Sequence, residues 1–395
     1  MGERITTRIG PRVVIIGGGI AGVEAALTIA LGFPDARVTL VARSPVLTIA
    51  PNLVYVPFGV EEELVDVRLD VRLPQFGIKL LIGDVAGVDM STSSASMSGG
   101  RTLSWDALVV APGTVPNSAA GSRLRTLRDA VALRSQLEDL LDTQWRTSMA
   151  IRILPDSTWP APAYELAFLT DAWLRSHDRR EHVDLFVVTE DSAPFEFLGA
   201  DPPPHVEREL ELRGISMVAG VPGARIEDID ADLTIDVGGL SAARVRGLHT
   251  APDGFYATDE HCRMTNGAYV VGDAGSGRVK AAFVTAWQAR RVLADLGGSL
   301  ERLGTSTDGV PHDTVIYEMD LGGETLVVRL AADDLMIGAQ LRPAEVSLEP
   351  AVPDKLRGLL TRALLLEGHE GSAAARLDQA FQVRRHLRLG PPPGS

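Results

Sequence analysis

The sequence predicts an α/β chain made of two Rossmann-like dinucleotide-binding units followed by a C-terminal α+β domain. Three observations carry this. A short apolar run, RVVII at 12–16, is followed by the turn GGGIAG and then by the apolar helical stretch VEAALTIALG. A second alternation of strand and helix patterns runs through residues 148–250. A last region, 306–390, holds a hairpin pattern and an amphipathic stretch. At 395 residues the chain is too long for one hydrophobic core, and two or three domains are expected.

Strand, glycine turn and helix give Gly17-x-Gly19-x-x-Gly22 a physical purpose. The three glycines allow a tight turn, close approach of backbone to a pyrophosphate, and close packing of helix on strand. The phosphate would then sit on the helix N-terminus. The next strand, RVTLVAR at 37–43, ends where an acidic residue usually grips the adenosine ribose. Here Ala42 and Arg43 stand instead, and Arg43 is taken as a cofactor-side residue. Residues 77–97 read as strand, turn, strand, leading into WDALVVAPGTVPN at 105–117.

Across 148–250 the expected elements are a strand at 149–155, a helix from Pro162, a strand at 183–190 and a helix near HVERELELRG. A dinucleotide loop would fall between the first two. Instead Pro155–Pro162 holds three prolines, one tryptophan and no glycine. Such a turn offers few free N–H groups to a pyrophosphate.

WDALVVAPGTVPN, with Gly113, resembles a segment of the two-dinucleotide-fold flavoprotein reductases, and NGAYVVGDAG at 266–275, with Gly272 and Asp273, resembles their second FAD fingerprint. WPAPAYE at 159–165 and LTIAPNLVYVPFG at 47–59 narrow the resemblance to the pyridine nucleotide-disulfide oxidoreductase branch of sulfide:quinone oxidoreductases and flavocytochrome c sulfide dehydrogenases. It implies an FAD-binding domain in two parts, 11–147 and 251–305. Between them, 148–250 would be an inserted unit of the NAD(P)-domain type that lacks its glycine loop. It also implies that FAD is the cofactor, that Asp273 bonds a ribityl hydroxyl, and that the helix at 281–296 points at the edge of the flavin where charge accumulates on reduction. Lys280 would add a positive charge there, as a catalytic candidate. Glu165 is the other catalytic candidate, by analogy with a carboxylate near the flavin face; the competing reading makes it a helix-capping acid.

One departure matters. The cysteine that precedes the GPAYE-type motif in the resembled branch is replaced near Ser157, Thr158 and Trp159, and the single cysteine, Cys262, reads as a buried structural thiol. The expected activity is therefore transfer of electrons through FAD from an unidentified donor to a quinone or other small acceptor, without cysteine chemistry. An NAD(P)H-dependent reductase of the same superfamily and a flavoprotein that has lost catalysis and serves as a binding partner are the alternatives.

The formal charge of −14 argues against a nucleic-acid partner. The histidines show no metal-site spacing. One cysteine and an N-terminus without a secretory pattern point to the cytoplasm. VIYEMDLGGETLVVRL at 315–330 predicts a hairpin, and 354–368 an amphipathic helix with Leu356, Leu359, Leu360, Ala363 and Leu364 in one stripe. Core or homodimer contact is favoured for that stripe. The basic RRHLRL at 384–389 keeps peripheral contact with the inner face of the membrane open as a lesser reading. The final GPPPGS is expected to be disordered.

Overall fold

The computed structural model describes residues 10–117, 122–155, 157, 159–196, 204–277, 279–303, 314–331, 343–350, 353–366 and 373–381. Thr158, RRHLRL and GPPPGS lie outside the described residues. In chain order the elements that position the site are β1 (Arg12–Ile16), α1 (Ile20–Gly32), β2 (Arg37–Ala42), β3 (Lys79–Ile82), β4 (Ala107–Val110), β5 (Ser122–Arg123), α2 (Leu127–Asp142), β6 (Thr147–Ile153), α3 (Ala161–Ser176), β7 (Val183–Val188), β8 (Ser216–Val218), β9 (Leu233–Val237), β10 (Tyr269–Val270), α4 (Ala282–Asp295), β11 (Thr314–Asp320), β12 (Thr325–Ala331) and β13 (Pro343–Glu349).

The first sheet has the order β10-β4-β1-β2-β3, and every pairing is parallel. A parallel sheet is covered on both faces, so its central strands are apolar throughout rather than alternating. Val13, Ile15, Leu108, Val109 and Val110 are all buried. The helix α1 is buried from Gly22 to Ile29 because it lies between this sheet and α4. That explains its nearly uniform apolar composition.

A second parallel sheet has the order β5-β9-β6-β7-β8. Its strand β6 carries Arg152, whose Nε lies 2.8 Å from Asp236 Oδ1 on β9. The same guanidinium donates to the carbonyls of Glu227 and Ile229, so the buried charge is both paired and hydrogen-bonded. We propose 11–147, 148–250, 251–305 and 306–390 as the domain limits; among the described residues β5 crosses from the first stretch into the second sheet.

The third sheet is antiparallel, β11-β12-β13. The Gly322-Gly323 hairpin forms where the sequence places it, with Leu321 N donating to Glu324 O. Gly322 has φ +77°, and a Cβ there would stand 2.5 Å from Ala172 Cβ on α3. The hairpin tip is thus seated directly on α3.

The expected helix over 354–368 is not continuous. Residues 355–358 form turns, Gly358 takes φ +79°, and helical backbone begins at Leu360. A left-handed glycine ends a turn rather than continuing a helix. Leu356 and Leu359 are nonetheless core residues. No helix among the described residues is long and apolar enough to cross a membrane.

Burial raises the carboxyl pKa of Glu24, Glu318 and Asp320, the last to about 7. For Asp320, the neighbouring Glu165 adds to burial, whereas the Gly322 N–H and Lys355 oppose it. A carboxyl raised in the folded state binds more protons there than in the unfolded chain, so stability falls as pH rises between the two values. For Asp320 that window runs from near 3.8 to about 7. The thermal midpoint is expected to be higher at pH 5.5 than at pH 8, and Asp320→Asn, which keeps an acceptor for Gly322 N–H, is expected to flatten the slope. Midpoints across that pH range for both proteins check this; an unchanged slope in the variant refutes it.

Candidate cofactor and active site

The glycine turn is fixed by contacts to both neighbouring strands. Gly17 N donates to Val41 O at 2.9 Å, and Ala111 N donates to Ile16 O at 2.7 Å. Gly17 has φ +119°, and a Cβ there would be 2.0 Å from Ala111 O. A Cβ on Gly22 would be 1.8 Å from Gly17 O. Both positions therefore demand glycine for reasons internal to the protein. Gly19 differs: an added Cβ meets nothing within 4 Å. It is the N-cap of α1, with no side-chain capping bond and no acid in the first turn. The helix end is left open to an anion, with its partial positive charge unanswered by the chain.

The second fingerprint closes on the first. Gly272 has φ +78°, and a Cβ there would stand 2.5 Å from Ala21 Cβ in the first turn of α1. Its N–H donates to Gln288 Oε1 of α4 at 2.6 Å. Asp273 follows at depth in the protein, yet its side chain is still reached by solvent, which places it on the wall of a cleft. It accepts no hydrogen bond from a described residue. Burial raises its pKa while Lys280 and Arg125 pull it back down. A deep carboxylate with free acceptor sites suits the hydroxyls of a ribityl chain. Together with the open cradle at Gly19, these residues fit FAD.

Lys280 is drawn to the protein rather than left free. Its Nζ donates to Gly275 O and lies 3.9 Å from the centroid of the Phe255 ring. Burial lowers its pKa to about 8, against the pull of Asp273 and Asp253. Arg125, which the sequence did not single out, donates to Thr114 O at 2.6 Å beside the Gly113 turn. Gly113 has φ +72° and meets nothing within 4 Å, so it serves the turn rather than a close approach. Arg43 is exposed just beyond β2. Asp273→Ala is expected to weaken FAD retention more than Lys280→Ala, by about 1–3 kcal/mol for the ribityl hydroxyls left unpaired. Equal retention by dialysis would remove the role given to Asp273.

Glu165 is not a capping acid. It lies in the second turn of α3, and α3 has no acid in its first turn. Its carboxylate, 5% exposed, meets Lys355 Nζ at 2.9 Å and accepts from Asp320 N at 2.9 Å. Lys355 also donates to Pro51 O at 3.0 Å and sits 4.4 Å from the centroid of the Tyr55 ring. The segment 50–58, a tight helical turn, thus faces the Glu165–Lys355 pair. Lys355 was invisible to sequence reasoning, because it lies 190 residues from its partner.

Just ahead of the APAYE segment, Trp159 is packed into an aromatic cluster. Its ring stands edge-on to Tyr317 at 4.9 Å, Phe283 at 5.7 Å and Phe195 at 6.2 Å. Phe283 opens α4 and Tyr317 lies on β11. Cys262 is buried, and burial pushes its thiol up to about 12, so it is not a nucleophile. Among the described residues no group of three or more His, Cys, Asp or Glu could hold a metal ion.

Residues 11–151 match the family model described as pyridine nucleotide-disulphide oxidoreductase. A sulfide-quinone reductase of Aquifex aeolicus (strain VF5) is 25% identical over 186 residues, 45% of this chain. The match spans 42% of that relative's length. The solved sulfide:quinone oxidoreductase of Aquifex aeolicus shares the fold at a TM-score of 0.73 and 15% identity, covering 97% of this chain and 93% of that one. A ferredoxin reductase from Rhodopseudomonas palustris shares it at 0.58 and 20% identity, covering 82% and 83%. With the two fingerprints locked together around a cradle that fits FAD, residues 11–151 are similar to the pyridine nucleotide-disulphide oxidoreductases, and the chain as a whole shares the fold of the solved sulfide:quinone oxidoreductase.

Proposed function

We propose that the protein is an FAD-dependent oxidoreductase that passes electrons from an organic donor to a quinone or similar small acceptor, using neither a cysteine pair nor NAD(P)H. The observation that carries this is Trp159. Its indole packs among three other aromatic rings ahead of the APAYE segment, where the resemblance would have a cysteine, while the single cysteine is buried elsewhere. Bound FAD supplies the two-electron chemistry, and the protein sets orientation and access.

Glu165 and Lys355 are the proton-handling pair in this reading. Reduction of a quinone to quinol takes two electrons and one proton at each oxygen, and the carboxylate–ammonium pair beside Tyr55 could pass one of those protons from Glu165 Oε or Lys355 Nζ. The stretch holding Tyr55 is the one that resembles the quinone-reducing members. Support also comes from the sulfide-quinone reductase match.

Photoreducing the bound flavin anaerobically and adding a short-chain soluble quinone tests the proposal. Reoxidation well above the buffer rate is expected, slowed about 10²-fold or more in Glu165→Gln. Reduced flavin that ignores the quinone would overturn the acceptor, and an unaffected Glu165→Gln would overturn the role of the pair.

A further inference from the structure

One eight-residue stretch, Asp354–Thr361, engages three buried carboxylates from three parts of the fold. Asp354 N and the guanidinium of Arg357 both meet Glu318 on β11, the latter at 2.7 Å. Lys355 meets Glu165 on α3. At the far end, Leu360 N donates to Glu24 Oε1 at 2.9 Å, and Thr361 N and Oγ1 both donate to Glu24 Oε2 at 2.8 Å. Glu24, Glu165 and Glu318 are each no more than 4% exposed. Arg362 closes the stretch on itself through Asp354 at 2.6 Å.

Glu24 lies on the cofactor helix α1, where Arg290 of the neighbouring α4 also attracts it electrostatically, but the hydrogen bonds it accepts come from the 354–361 stretch. A carboxylate taken out of water must be matched by donors, and two N–H groups and a hydroxyl at a helix start provide them. Those donors belong to the turn that begins five residues after Lys355. With the left-handed Gly358 between them, the path from Lys355 to Leu360 is set by its two ends.

We infer that Glu24 is a positioning residue, which fixes the 354–361 stretch so that the Lys355 ammonium lands on Glu165 beside the cofactor fold. The inference builds on the proton-handling role proposed for that pair, yet its first test does not need it. Glu24→Gln keeps the shape but turns one acceptor into a donor, which then faces the Thr361 or Leu360 N–H. The holoprotein has only three lysines, Lys79, Lys280 and Lys355, so amine labelling with acetic anhydride can be read lysine by lysine. In the native protein Lys355, with a side chain 7% exposed, is expected to label slowly. In Glu24→Gln its labelling is expected to rise at least tenfold while Lys79 and Lys280 keep their rates. Thr361→Val, which removes only the hydroxyl bond, is expected to give a smaller rise and guards against a Glu24 variant that fails to fold.

The second test asks whether Glu24 acts through Lys355. The pH profile of quinone reoxidation should shift in Glu24→Gln, and that shift should vanish when Lys355 is already methionine. Unchanged Lys355 labelling in both variants overturns the inference, as does a parallel rise at all three lysines. An equal kinetic effect of Glu24→Gln in the Lys355→Met background overturns it too. A native protein that never reacts with quinone would refute the proposed acceptor, while the labelling would still decide the positioning.

Discussion

Gly22→Ala is expected to yield a colourless protein that does not recover FAD. The added Cβ would stand 1.8 Å from the carbonyl oxygen of Gly17, a backbone atom with nowhere to move. Gly17 is itself pressed against Ala111 O and tied to Val41 O, so relief would require the whole turn to leave both strands. Overpacking of this kind costs about 1–3 kcal/mol in stability. The larger effect falls on the cofactor, because a displaced turn no longer presents the N-terminus of α1 to the pyrophosphate. A loss of FAD affinity of about 100-fold or more is expected, equivalent to roughly 3 kcal/mol. Gly19→Ala provides the contrast. Its Cβ meets no protein atom, so the apoprotein should melt at the native temperature while FAD binding still weakens. Flavin absorbance after reconstitution, together with apoprotein melting, separates the two. A yellow Gly22→Ala protein with native affinity would remove the turn from the cofactor site.

The parts of the fold that could be read in the sequence are those written in local pattern. RVVII and ALVV are uniformly apolar because both faces of their sheet are covered, and the glycine spacing is dictated by backbone contacts a few residues apart. The Gly322-Gly323 hairpin is equally local. The parts that could not be read are long-range. Glu165 meets Lys355 from 190 residues away, and Glu24 meets Leu360 across 336. Nothing near Glu24 in the sequence announces a buried acceptor, since VEAAL reads equally well as a helix with one solvent-facing acid. Local pattern also misled at 354–368, where leucine spacing suggested one helix. The three carboxylates that meet the stretch hold it instead in a turn around Gly358. Capping, the local explanation for Glu165, gave way to an ion pair for the same reason.

Anaerobic titration of the oxidised protein with NADH, NADPH and sulfide is expected to leave the flavin spectrum unchanged with all three. For the nucleotides the reason lies at the start of α3. Pro160 is its N-cap and Pro162 lies in its first turn, so neither contributes an N–H. Ala163 N is already given to Pro160 O at 2.9 Å, and Ala161 and Ala163 are fully buried. A Cβ on Gly238 would stand 2.4 Å from Ser157 Cβ, which shows how closely the preceding loop lies on the strand end that a pyrophosphate would approach. Trp159, which follows the proline-rich loop, is in turn packed against Phe283 and Tyr317. Glu190 follows β7, where an acid would grip a ribose, and it is exposed. A ribose contact without a phosphate site gives little affinity, so Glu190 alone does not restore binding. For sulfide the obstacle is chemical: a single thiol cannot cycle as an intramolecular disulfide, and Cys262 is buried with its thiol held protonated. Stoichiometric bleaching by either nucleotide would show that the proline turn opens and that the protein is a nicotinamide-dependent reductase. Bleaching by sulfide would show that this flavin accepts electrons from sulfide without a cysteine pair. A spectrum that persists through all three additions yet bleaches on photoreduction leaves a flavin competent for electrons, with either an unidentified organic donor or a chain that has lost catalysis.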